Sequence, residues 1–474
     1  MMKRNFILPP LLMGALLAGC ADLEITDPNR QTVDRFWQTP NHALLGINAT
    51  YRGLQENGTY GRWLQFAYDM RSDVGFSQSP WGDLANFTKS VLGSYNFEVN
   101  QEVWQHHYQT IFRANQVIAN VPGIQMDSGT RDRIVAEAKF IRALMYYNLV
   151  NLYGNVPLVL TPPQATDRPN QVTPEQAWAQ IEKDLQDARG VLPASYGGEN
   201  VGRATRGAAT ALLGKAQLQQ RKWSEAAQNL GAVASSGQYG LLPNYGDNFI
   251  ETGDNSAESI FEVQFGGPEV LAAGSRGQNI IKLIGPCGPG GTNFCDGDVR
   301  PWYFTEFSKE KTTSGGTDPR LEATLYFGGT AYGQPYSRYF GSTTGRKFWK
   351  KYAEYYKTGQ DWDNPINVKV MRLGGVLLMQ AEALNEAGRT AEAHAPLNRV
   401  RARAGLAPAA GMNQAQMRAE IEHQQLLELG FENERFLWLK RHGWLTDRAR
   451  IAELSARDAD FTVFEPHRAL LPIP

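Results

Sequence analysis

The sequence predicts a mainly α-helical protein whose helical scaffold is interrupted by a large, loop-rich insertion containing a few short strands. In two long stretches, about residues 40–235 and 368–455, apolar side chains recur at helical spacing. Between them, over about residues 236–367, short apolar or aromatic runs are broken by Gly, Pro, Asp and Thr, which is typical of loops and short strands. In addition, two pairs of adjacent predicted helices each contain two small residues twelve positions apart.

The first helical stretch contains a long helix with clear ends. Its periodic apolar positions stop before Gly154 and Pro157, which predict its C-terminus. The following helix is predicted to begin at Pro174, with Thr173 as its N-cap and Gln176 completing a capping box. The periodic residues of the long helix are Ala136, Phe140, Ala143, Leu144, Tyr147, Val150 and Leu152.

The insertion and the second helical stretch follow. Residues 259–265 (SIFEVQF) predict a short strand. Helices are predicted to resume at Val370 and to continue to about Leu454, and residues 461–474 are predicted to form an extended tail. We expect one folded domain over residues 20–474, preceded by a leader at residues 1–19.

Two helical pairs contain the same internal spacing. In the first, Gly214 is followed twelve residues later by Ala226 and then by Leu230. The corresponding residues of the second pair are Ala381, Ala393 and Leu397. Small residues so placed let two helices cross closely, and the pattern resembles the tetratricopeptide repeat. The alternative is two unrelated helical hairpins. Read as a repeat, the pattern predicts a tetratricopeptide-like helical-hairpin scaffold, an architecture that binds partners and carries no chemistry of its own.

Charge and hydropathy exclude two classes of protein. The chain has 474 residues, and its 47 Lys and Arg against 48 Asp and Glu give a formal net charge of −1. It contains no Lys/Arg-rich block, so it lacks the basic surface expected of a nucleic-acid-binding protein. After the N-terminus no apolar run reaches about 18 residues, which excludes a polytopic membrane protein.

The N-terminus has the layout of a secretory signal. Lys3 and Arg4 precede an apolar stretch at residues 6–18, and residues 17–20 (LAGC) match a bacterial lipobox. Cys20 is therefore the predicted lipidation site, and acyl chains on one cysteine anchor a protein without a spanning helix. The alternative is an ordinary signal peptide with a coincidental cysteine.

The other two cysteines lie in one Gly/Pro-rich loop, residues 285–295 (GPCGPGGTNFC). In an exported protein Cys287 and Cys295 are candidates for a local disulfide that would rigidify this loop. The alternative is a metal site, but a closed zinc site needs four ligands and the loop contains no His.

The sequence offers little support for catalysis. Asp69 and Asp73 lie four residues apart and are candidates for a glycosidase pair, but a solvated helix face is the simpler interpretation and the one we expect. There is no His-Glu-x-x-His motif, no Gly-x-Ser-x-Gly elbow and no Gly-Lys-Ser/Thr phosphate loop. Residues 296–298 (DGD) lack the rest of a calcium loop. We therefore expect no enzyme, no metal and no cofactor.

Several segments carry a family resemblance. The strongest is residues 137–158 (EAKFIRALMYYNLVNLYGNVPL). The others are residues 27–29 (DPN), Phe36, Trp37, Trp104, Tyr108, Ile111, residues 113–115 (RAN), 318–320 (DPR), 376–385 (VLLMQAEALN), 397–401 (LNRVR), 428–435 (ELGFENER) and 471–474 (LPIP). They span nearly the whole chain and follow a lipobox, and in this order they resemble the SusD/RagB family of outer-membrane nutrient-binding lipoproteins.

The resemblance implies both fold and function. The fold would be a helical scaffold of about four tetratricopeptide hairpins carrying a loop-rich ligand face. The function would be capture of a nutrient, usually an oligosaccharide, at the cell exterior and its transfer to a SusC-like TonB-dependent outer-membrane transporter. Five scaffold positions depart from the usual family pattern, which puts local salt bridges in question but not the fold. These positions are Leu373, Gly375, Gln424, Gln425 and Trp438.

A sugar site needs flat aromatic side chains for the apolar ring faces and polar side chains for the hydroxyl groups. Trp81 is the best single candidate, because residues 77–83 (SQSPWGD) are otherwise small and polar and because the family often places a ligand aromatic in this region. Asn86 and Arg71 are its candidate hydrogen-bonding companions. Further aromatic candidates in turn-rich sequence are Trp302, Tyr303, Tyr336 and Trp362. For each aromatic, packing in a loop or against a partner is the alternative.

Three functional hypotheses follow, in decreasing order of support. The first is a glycan-binding lipoprotein coupled to a transporter. The second is the same architecture binding a non-glycan nutrient such as peptides. The third is a membrane-anchored hydrolase, which turnover of a substrate would distinguish from the other two.

Overall fold

The computed structural model describes residues 36–164, 166–266, 277–285, 287–288, 291–328, 330–331, 334–335, 345–353 and 363–474. At residues 287–288, 291–292, 330–331 and 334–335 it describes the backbone alone. The protein is 57% helix and 6% strand, which confirms the predicted mainly helical class.

The helices and strands are as follows. The α-helices are α1 Pro40–Arg52, α2 Leu64–Tyr68, α3 Gly82–Thr88, α4 Glu98–Asn120, α5 Ser128–Tyr153, α6 Pro174–Val191, α7 Arg206–Gln219, α8 Trp223–Ala234, α9 Ile280–Ile284, α10 Pro301–Glu306, α11 Arg320–Thr324, α12 Leu373–Glu386, α13 Thr390–Arg403, α14 Gln414–Leu429, α15 Arg435–Arg441 and α16 Arg448–Arg457. The strands are β1 Gly75–Phe76, β2 Val156–Pro157, β3 Gln171–Val172, β4 Ser259–Val263, β5 Cys287–Gly288, β6 Gly291–Thr292, β7 Asp298–Val299, β8 Leu325–Tyr326, β9 Thr330–Ala331, β10 Gln334–Pro335, β11 Phe348–Trp349 and β12 Val368–Arg372.

The long helices pack in chain order. Helix α5 contacts α4 and α6, α7 contacts α6 and α8, and α12 contacts α8 and α13. Because α8 packs directly on α12, the insertion between them leaves the helical stack continuous. A single cluster of buried apolar side chains reaches from Ala43 in α1 to Leu471 in the tail.

Both predicted repeat hairpins form. Gly214 in α7 faces α8 so closely that a Cβ atom built on it would lie 2.7 Å from Cγ of Leu230. In the second hairpin the corresponding residues of α12 and α13 are buried at the helix crossing. They are Ala381, Ala393 and Leu397. The small residues therefore act as predicted, by allowing two helices to approach closely.

Most helix ends lie where local sequence signals predict them, but two segments differ from the prediction. Helix α5 ends before Gly154, whose φ of 74° favours glycine, and α6 has the predicted capping box at Thr173. The prediction that helices resume at Val370 was wrong by three residues, because this segment pairs with β4 as strand β12 before α12 begins at Leu373. The predicted extended tail also contains 3₁₀ turns, at Ala459–Val463 and Pro466–Ala469.

A small sheet ties the first helical stretch to the insertion. Its strand order is β1-β7-β11-β8. Phe76 of β1 lies opposite Asp298 of β7 in an antiparallel pair, so the residues that follow Phe76 run alongside those that precede Asp298. Beyond the strands, Gln78 contacts Asp298 and Ser79 hydrogen-bonds Asp296, so residues 77–79 lie next to residues 296–298 and position the candidate site.

A buried ion-pair network joins β12 to α14 and to the loop before β4. The Arg372 guanidinium donates from Nη1 to Glu258 Oε1 at 2.8 Å and from Nε to Glu432 Oε2 at 2.8 Å. Arg320 Nη1 lies 3.3 Å from Glu428 Oε2 in the same network. Since burying an unpaired charge costs several kcal/mol, roughly 3–5 when one partner of a buried pair is removed, these pairs must form together.

The residues that depart from the family pattern lie in the scaffold helices. Gln424 Oε1 accepts a hydrogen bond from Arg320 Nη2 at 2.9 Å, and Gln425 Nε2 donates to Glu382 Oε2 at 2.7 Å. The ring of Trp438 stacks on His442 at a centroid distance of 4.4 Å. Gln424 and Gln425 thus each take part in a side-chain hydrogen bond with a charged residue of the scaffold.

None of the helices within the described ranges combines the length and the apolar character needed to cross a membrane. The predicted leader at residues 1–19 and the lipidation site Cys20 lie outside the described residues. The division of the chain into a leader and one domain stays a prediction.

Candidate functional site

Trp81 is an exposed aromatic side chain on a rigid support. It is the residue before the first turn of α3 and keeps 36% of its surface exposed. Its ring stands edge-on to Phe97 at 5.2 Å and to Trp63 at 6.2 Å between centroids. Edge-to-face contacts of this kind fix ring orientation, so Trp81 offers a held, partly open indole to solvent.

The support beneath Trp81 is itself fixed by polar contacts. The Trp63 Nε1 group donates to Glu102 Oε2 at 3.0 Å, and the Arg62 guanidinium lies 4.1 Å from the Trp63 ring centroid. The Trp81 backbone N–H donates to Ser79 Oγ at 3.1 Å. Both the ring and the backbone of Trp81 are therefore restrained.

Open space lies beside Trp81 at Gly82, and exposed polar residues follow it on α3. A Cβ atom built on the adjacent Gly82 would meet nothing within 4 Å. Asn86 is exposed on α3, three residues after the exposed Asp83 and so on the same helix face. The structure therefore places the two predicted companions Trp81 and Asn86 on one short exposed element.

Phe294 is an exposed aromatic residue that the sequence analysis passed over. It is 48% exposed, and the Lys282 ammonium lies 5.4 Å from its ring centroid. It lies two residues before Asp296, whose carboxyl group hydrogen-bonds Ser79 in the segment that leads to Trp81. The available signal was the one used for Trp81, an aromatic residue in turn-rich polar sequence.

Asp296 connects this loop to the Trp81 segment. Burial raises the pKa of its carboxyl group, while a hydrogen bond with Ser79 and the nearby Arg62 charge act in the opposite direction. The neighbouring Asp298 is held by Arg346, whose Nε and Nη2 groups each donate at 2.7 Å. Asp296 is itself buried and supports the surface from below. The exposed candidate residues are Trp81, Asn86 and Phe294, and we call them the Trp81 surface.

Arg71 does not belong to the Trp81 surface. Only 1% of it is exposed, and its guanidinium donates to Arg468 O at 2.8 Å and to Ser90 Oγ at 3.3 Å. Burial lowers the pKa of Arg71 to about 10, which leaves it charged at neutral pH. Phe87 separates it from Phe97, so the expected pairing of Arg71 with Trp81 is corrected.

Two other aromatic candidates pack against residues inside the protein. Tyr303 is fully buried and its hydroxyl donates to Leu426 O at 2.8 Å, so the expectation that it contacts ligand is corrected. Trp302 is half-buried, its Nε1 group donates to Asp73 O at 2.6 Å, and the Arg457 guanidinium lies 4.4 Å from its ring. With its donor used and the cation placed over its ring, Trp302 is a packing residue.

The two aspartates considered for hydrolysis are both fully buried, so the expected solvated helix face was also wrong. Burial raises the pKa of Asp69 to about 8. Burial would also raise the pKa of Asp73, but the Arg435 guanidinium, which donates to it at 2.7 and 2.8 Å, holds that pKa below its usual value. Neither carboxyl group reaches solvent, so this pair does not form a hydrolytic site on the surface.

The remaining predicted residues are not all described. Tyr336 and Trp362 lie outside the described residues, as does the side chain of Cys287. Cys295 is disulfide-bonded. Its pairing with Cys287 stays a prediction.

Two family models match the chain. Residues 45–218 match the model described as "Starch-binding associating with outer membrane", and residues 257–462 match the model described as "SusD family". Together the two segments cover most of the chain, including helices α2 to α6, α7 apart from its last residue, and α9 to α16, whereas α8 lies between the two segments.

Individual relatives and solved structures that resemble this chain are also SusD-like proteins. A SusD-like protein from Formosa agariphila is 26% identical, with the alignment covering 96% of this chain and 93% of that protein. A laminarin-binding SusD-like protein of known structure is 28% identical, with a TM-score of 0.75 over 92% of this chain and 96% of that one. A SusD superfamily protein from Bacteroides vulgatus, 24% identical, shares the fold with a TM-score of 0.80 over 93% and 96% of the two chains. The chain belongs to the SusD/RagB family.

Proposed function

We propose that the protein is a cell-surface lipoprotein that captures an oligosaccharide on the Trp81 surface and delivers it to a SusC-like TonB-dependent outer-membrane transporter. The observation that carries this proposal is the indole of Trp81, partly exposed and held edge-on by Phe97 and Trp63. A restrained aromatic face binds the apolar face of a sugar ring with little loss of conformational freedom.

The polar groups around Trp81 suit the edge of a sugar. Exposed Asn86 offers both an amide donor and a carbonyl acceptor to sugar hydroxyl groups, and exposed Asp83 on the same helix offers a carboxylate that accepts hydrogen bonds from them. Phe294 supplies a second exposed ring from the opposing loop. Two aromatic faces with intervening polar groups favour a ligand longer than one sugar unit, and the laminarin-binding relative makes laminarin oligosaccharides the first ligands to test.

Attachment and partner follow from the family and from the N-terminus. We place the lipid on Cys20, which would hold the protein on the outer membrane facing the cell exterior. Replacing Cys20 by Ala should move the protein from the membrane fraction to the soluble fraction. Persistence of the variant in the membrane fraction would contradict this assignment.

We propose no enzymatic role. Asp69 and Asp73, the carboxylate pair considered for hydrolysis, are buried and committed to partners inside the protein. A bound oligosaccharide should therefore be recovered intact after prolonged incubation.

Calorimetry on the soluble chain lacking Cys20 tests the binding role. We expect one or more neutral oligosaccharides to bind and Trp81→Ala to weaken binding at least about tenfold, or ~1.4 kcal/mol. Phe112→Ala is the matched control, because Phe112 is 43% exposed on α4 and outside the Trp81 surface. Binding of peptides in place of sugars would transfer the proposal to a non-glycan nutrient, and cleavage of the ligand would overturn the non-enzymatic assignment.

A further inference from the structure

A second concave region lies between the C-terminal tail and the loop that follows α3. It is a cleft of about 570 Å³, which is the size of a small-ligand site. Its walls include Arg71, Tyr95, Tyr153, His467, Arg468 and Leu470. Tyr95 is 63% exposed, so an aromatic ring is available at the surface of this cleft as well.

The charge of the cleft is one-sided. Two arginines and one histidine line it, whereas the lining residues that the structure describes include no Asp or Glu. Arg71 is the most buried of the three, and its hydrogen-bond acceptors are neutral: Ser90 Oγ, Ala67 O and Arg468 O. These three bonds use three of its five N–H groups, and the described part of the chain supplies no acceptor for the other two.

A partly buried lysine lies near Arg71. Lys440 donates from Nζ to Asn151 O at 2.5 Å. Burial lowers the pKa of Lys440 to about 7, and the Arg71 charge contributes in the same direction. Arg71, a buried cation with neutral hydrogen-bond acceptors only, therefore has no charged partner in this corner of the described structure. An anion is the group that would supply that partner, because charges interact more strongly in a low-dielectric interior than in water.

The apolar residues that line the cleft favour a ligand that contains a ring. Phe87, Leu92 and Pro472 provide apolar surface beside Tyr95 and Tyr153. A ligand with a carboxylate or sulfate group on a sugar ring would place its anion at Arg71 and its apolar ring face against these residues.

We propose that the cleft is an acid-selective saccharide subsite, with Arg71 and Arg468 receiving the carboxylate or sulfate group of an anionic sugar and Tyr95 contacting its ring. This inference rests on the proposed glycan-binding function and adds to it a preference for oligosaccharides that carry an anionic sugar. It assigns Arg71 a role in the cleft, away from the Trp81 surface.

The test compares an acidic oligosaccharide with its neutral ester and adds a sulfated oligosaccharide as a second anionic probe. The probes are trigalacturonic acid, its neutral methyl ester and a sulfated galactan oligosaccharide, measured by calorimetry on the soluble chain. We expect the carboxylate or the sulfate probe to bind at least about tenfold more tightly than the ester, and the better of the two identifies the anion. Raising the salt concentration should weaken binding of the acid more than binding of the ester.

Three variants locate the site. Arg71→Met and Tyr95→Ala should each reduce acid binding at least about tenfold, or ~1.4 kcal/mol. Arg206→Met, an exposed arginine at the start of α7, is the matched control and should leave binding unchanged. Because Arg71 is buried, near-ultraviolet circular dichroism must show that Arg71→Met is folded. If that variant is unfolded, Arg468→Ala and Tyr95→Ala replace it as the test, and each should weaken binding of the acid.

The outcomes separate this inference from the proposed function. Equal binding of acid and ester, absence of acid binding, or full binding by folded Arg71→Met would each overturn the acid subsite. Neutral oligosaccharide binding that still depends on Trp81 would leave the proposed function in place in each of these cases. Absence of any saccharide binding would overturn both.

Discussion

The ring of Phe97 holds the ring of Trp81 edge-on, with 5.2 Å between centroids and an interplanar angle of 69°. Phe97 itself is almost fully buried and directly precedes α4, so it anchors Trp81 to one of the longest helices of the scaffold. The exposed indole is thus not a free loop side chain. Its orientation is fixed by a residue that ligand does not reach.

This relationship predicts that Phe97→Leu weakens glycan binding although residue 97 does not contact ligand. Leu retains apolar volume but removes the edge-to-face contact, which is worth about 0.5–1.5 kcal/mol. We expect a severalfold increase in Kd by calorimetry, with a larger entropic cost of binding because Trp81 must then be ordered by the ligand. An unchanged Kd in the folded variant would show that Trp81 is held by other contacts.

The Asp73–Arg435 pair predicts a large stability effect. Arg435 donates to both carboxylate oxygens of Asp73, and both residues are buried. Arg435→Met should lower the free energy of unfolding by about 3 kcal/mol, because it leaves a buried carboxylate short of charge. Chemical denaturation measures the loss, and adding Asp73→Asn should restore part of it. A loss below about 1 kcal/mol would mean that Arg457 alone satisfies Asp73.

Two helical glycines should respond in opposite directions to the same substitution. Gly214→Ala places a Cβ atom 2.7 Å from Leu230 Cγ and should cost about 1–3 kcal/mol through overpacking. Gly190→Ala in α6 meets nothing within 4 Å and should stabilise the helix by up to about 1 kcal/mol. Thermal unfolding of both variants checks the pair. Equal effects would refute the close α7–α8 crossing as the reason for Gly214.

The scaffold was predictable because its determinants are local. Helical periodicity, the capping box at Thr173 and the Gly214 spacing each act within one or two helices, and each appears in the structure as predicted. The departure at Val370 has a non-local cause: this segment pairs with β4, more than a hundred residues earlier in the chain. Apolar runs that are buried on both faces do not reveal whether they pair as strand or continue as helix.

The site was less predictable because exposure depends on tertiary packing. Trp81 and Tyr303 both lie in turn-rich sequence, yet Trp81 is partly exposed whereas Tyr303 donates to Leu426 O in the core. Phe294 met the criterion applied to Trp81, but the β1–β7 pairing that joins its segment of the chain to the segment before Trp81 is not visible in the sequence. Burial of Arg71 likewise depends on the C-terminal tail folding back over it.

His107 predicts how stability depends on pH. It is fully buried in α4; its Nδ1 donates to Val103 O at 2.6 Å, and its Nε2 has no hydrogen-bond partner among the residues that the structure describes. Burial lowers the pKa of His107 to about 4 from a usual value of 6.5. Between these values the unfolded chain binds more protons than the folded chain, so the contribution of His107 to stability is complete above pH 6.5 and is lost as the pH falls toward 4.

The change that isolates this effect is His107→Gln, which removes the titrating group and keeps an amide donor for Val103. Other groups also titrate, so the measured quantity is the difference in unfolding free energy between pH 7 and pH 5 for each protein. We expect this difference to be about 2 kcal/mol smaller in the variant than in the unmodified chain, as a pKa lowered by more than two units implies. Because the comparison subtracts every group the two proteins share, an equal pH dependence would mean that the pKa of His107 is the same in the folded and unfolded states, as for a hydrated imidazole. The interior of α4 would then be more accessible to water than its packing against α5 indicates.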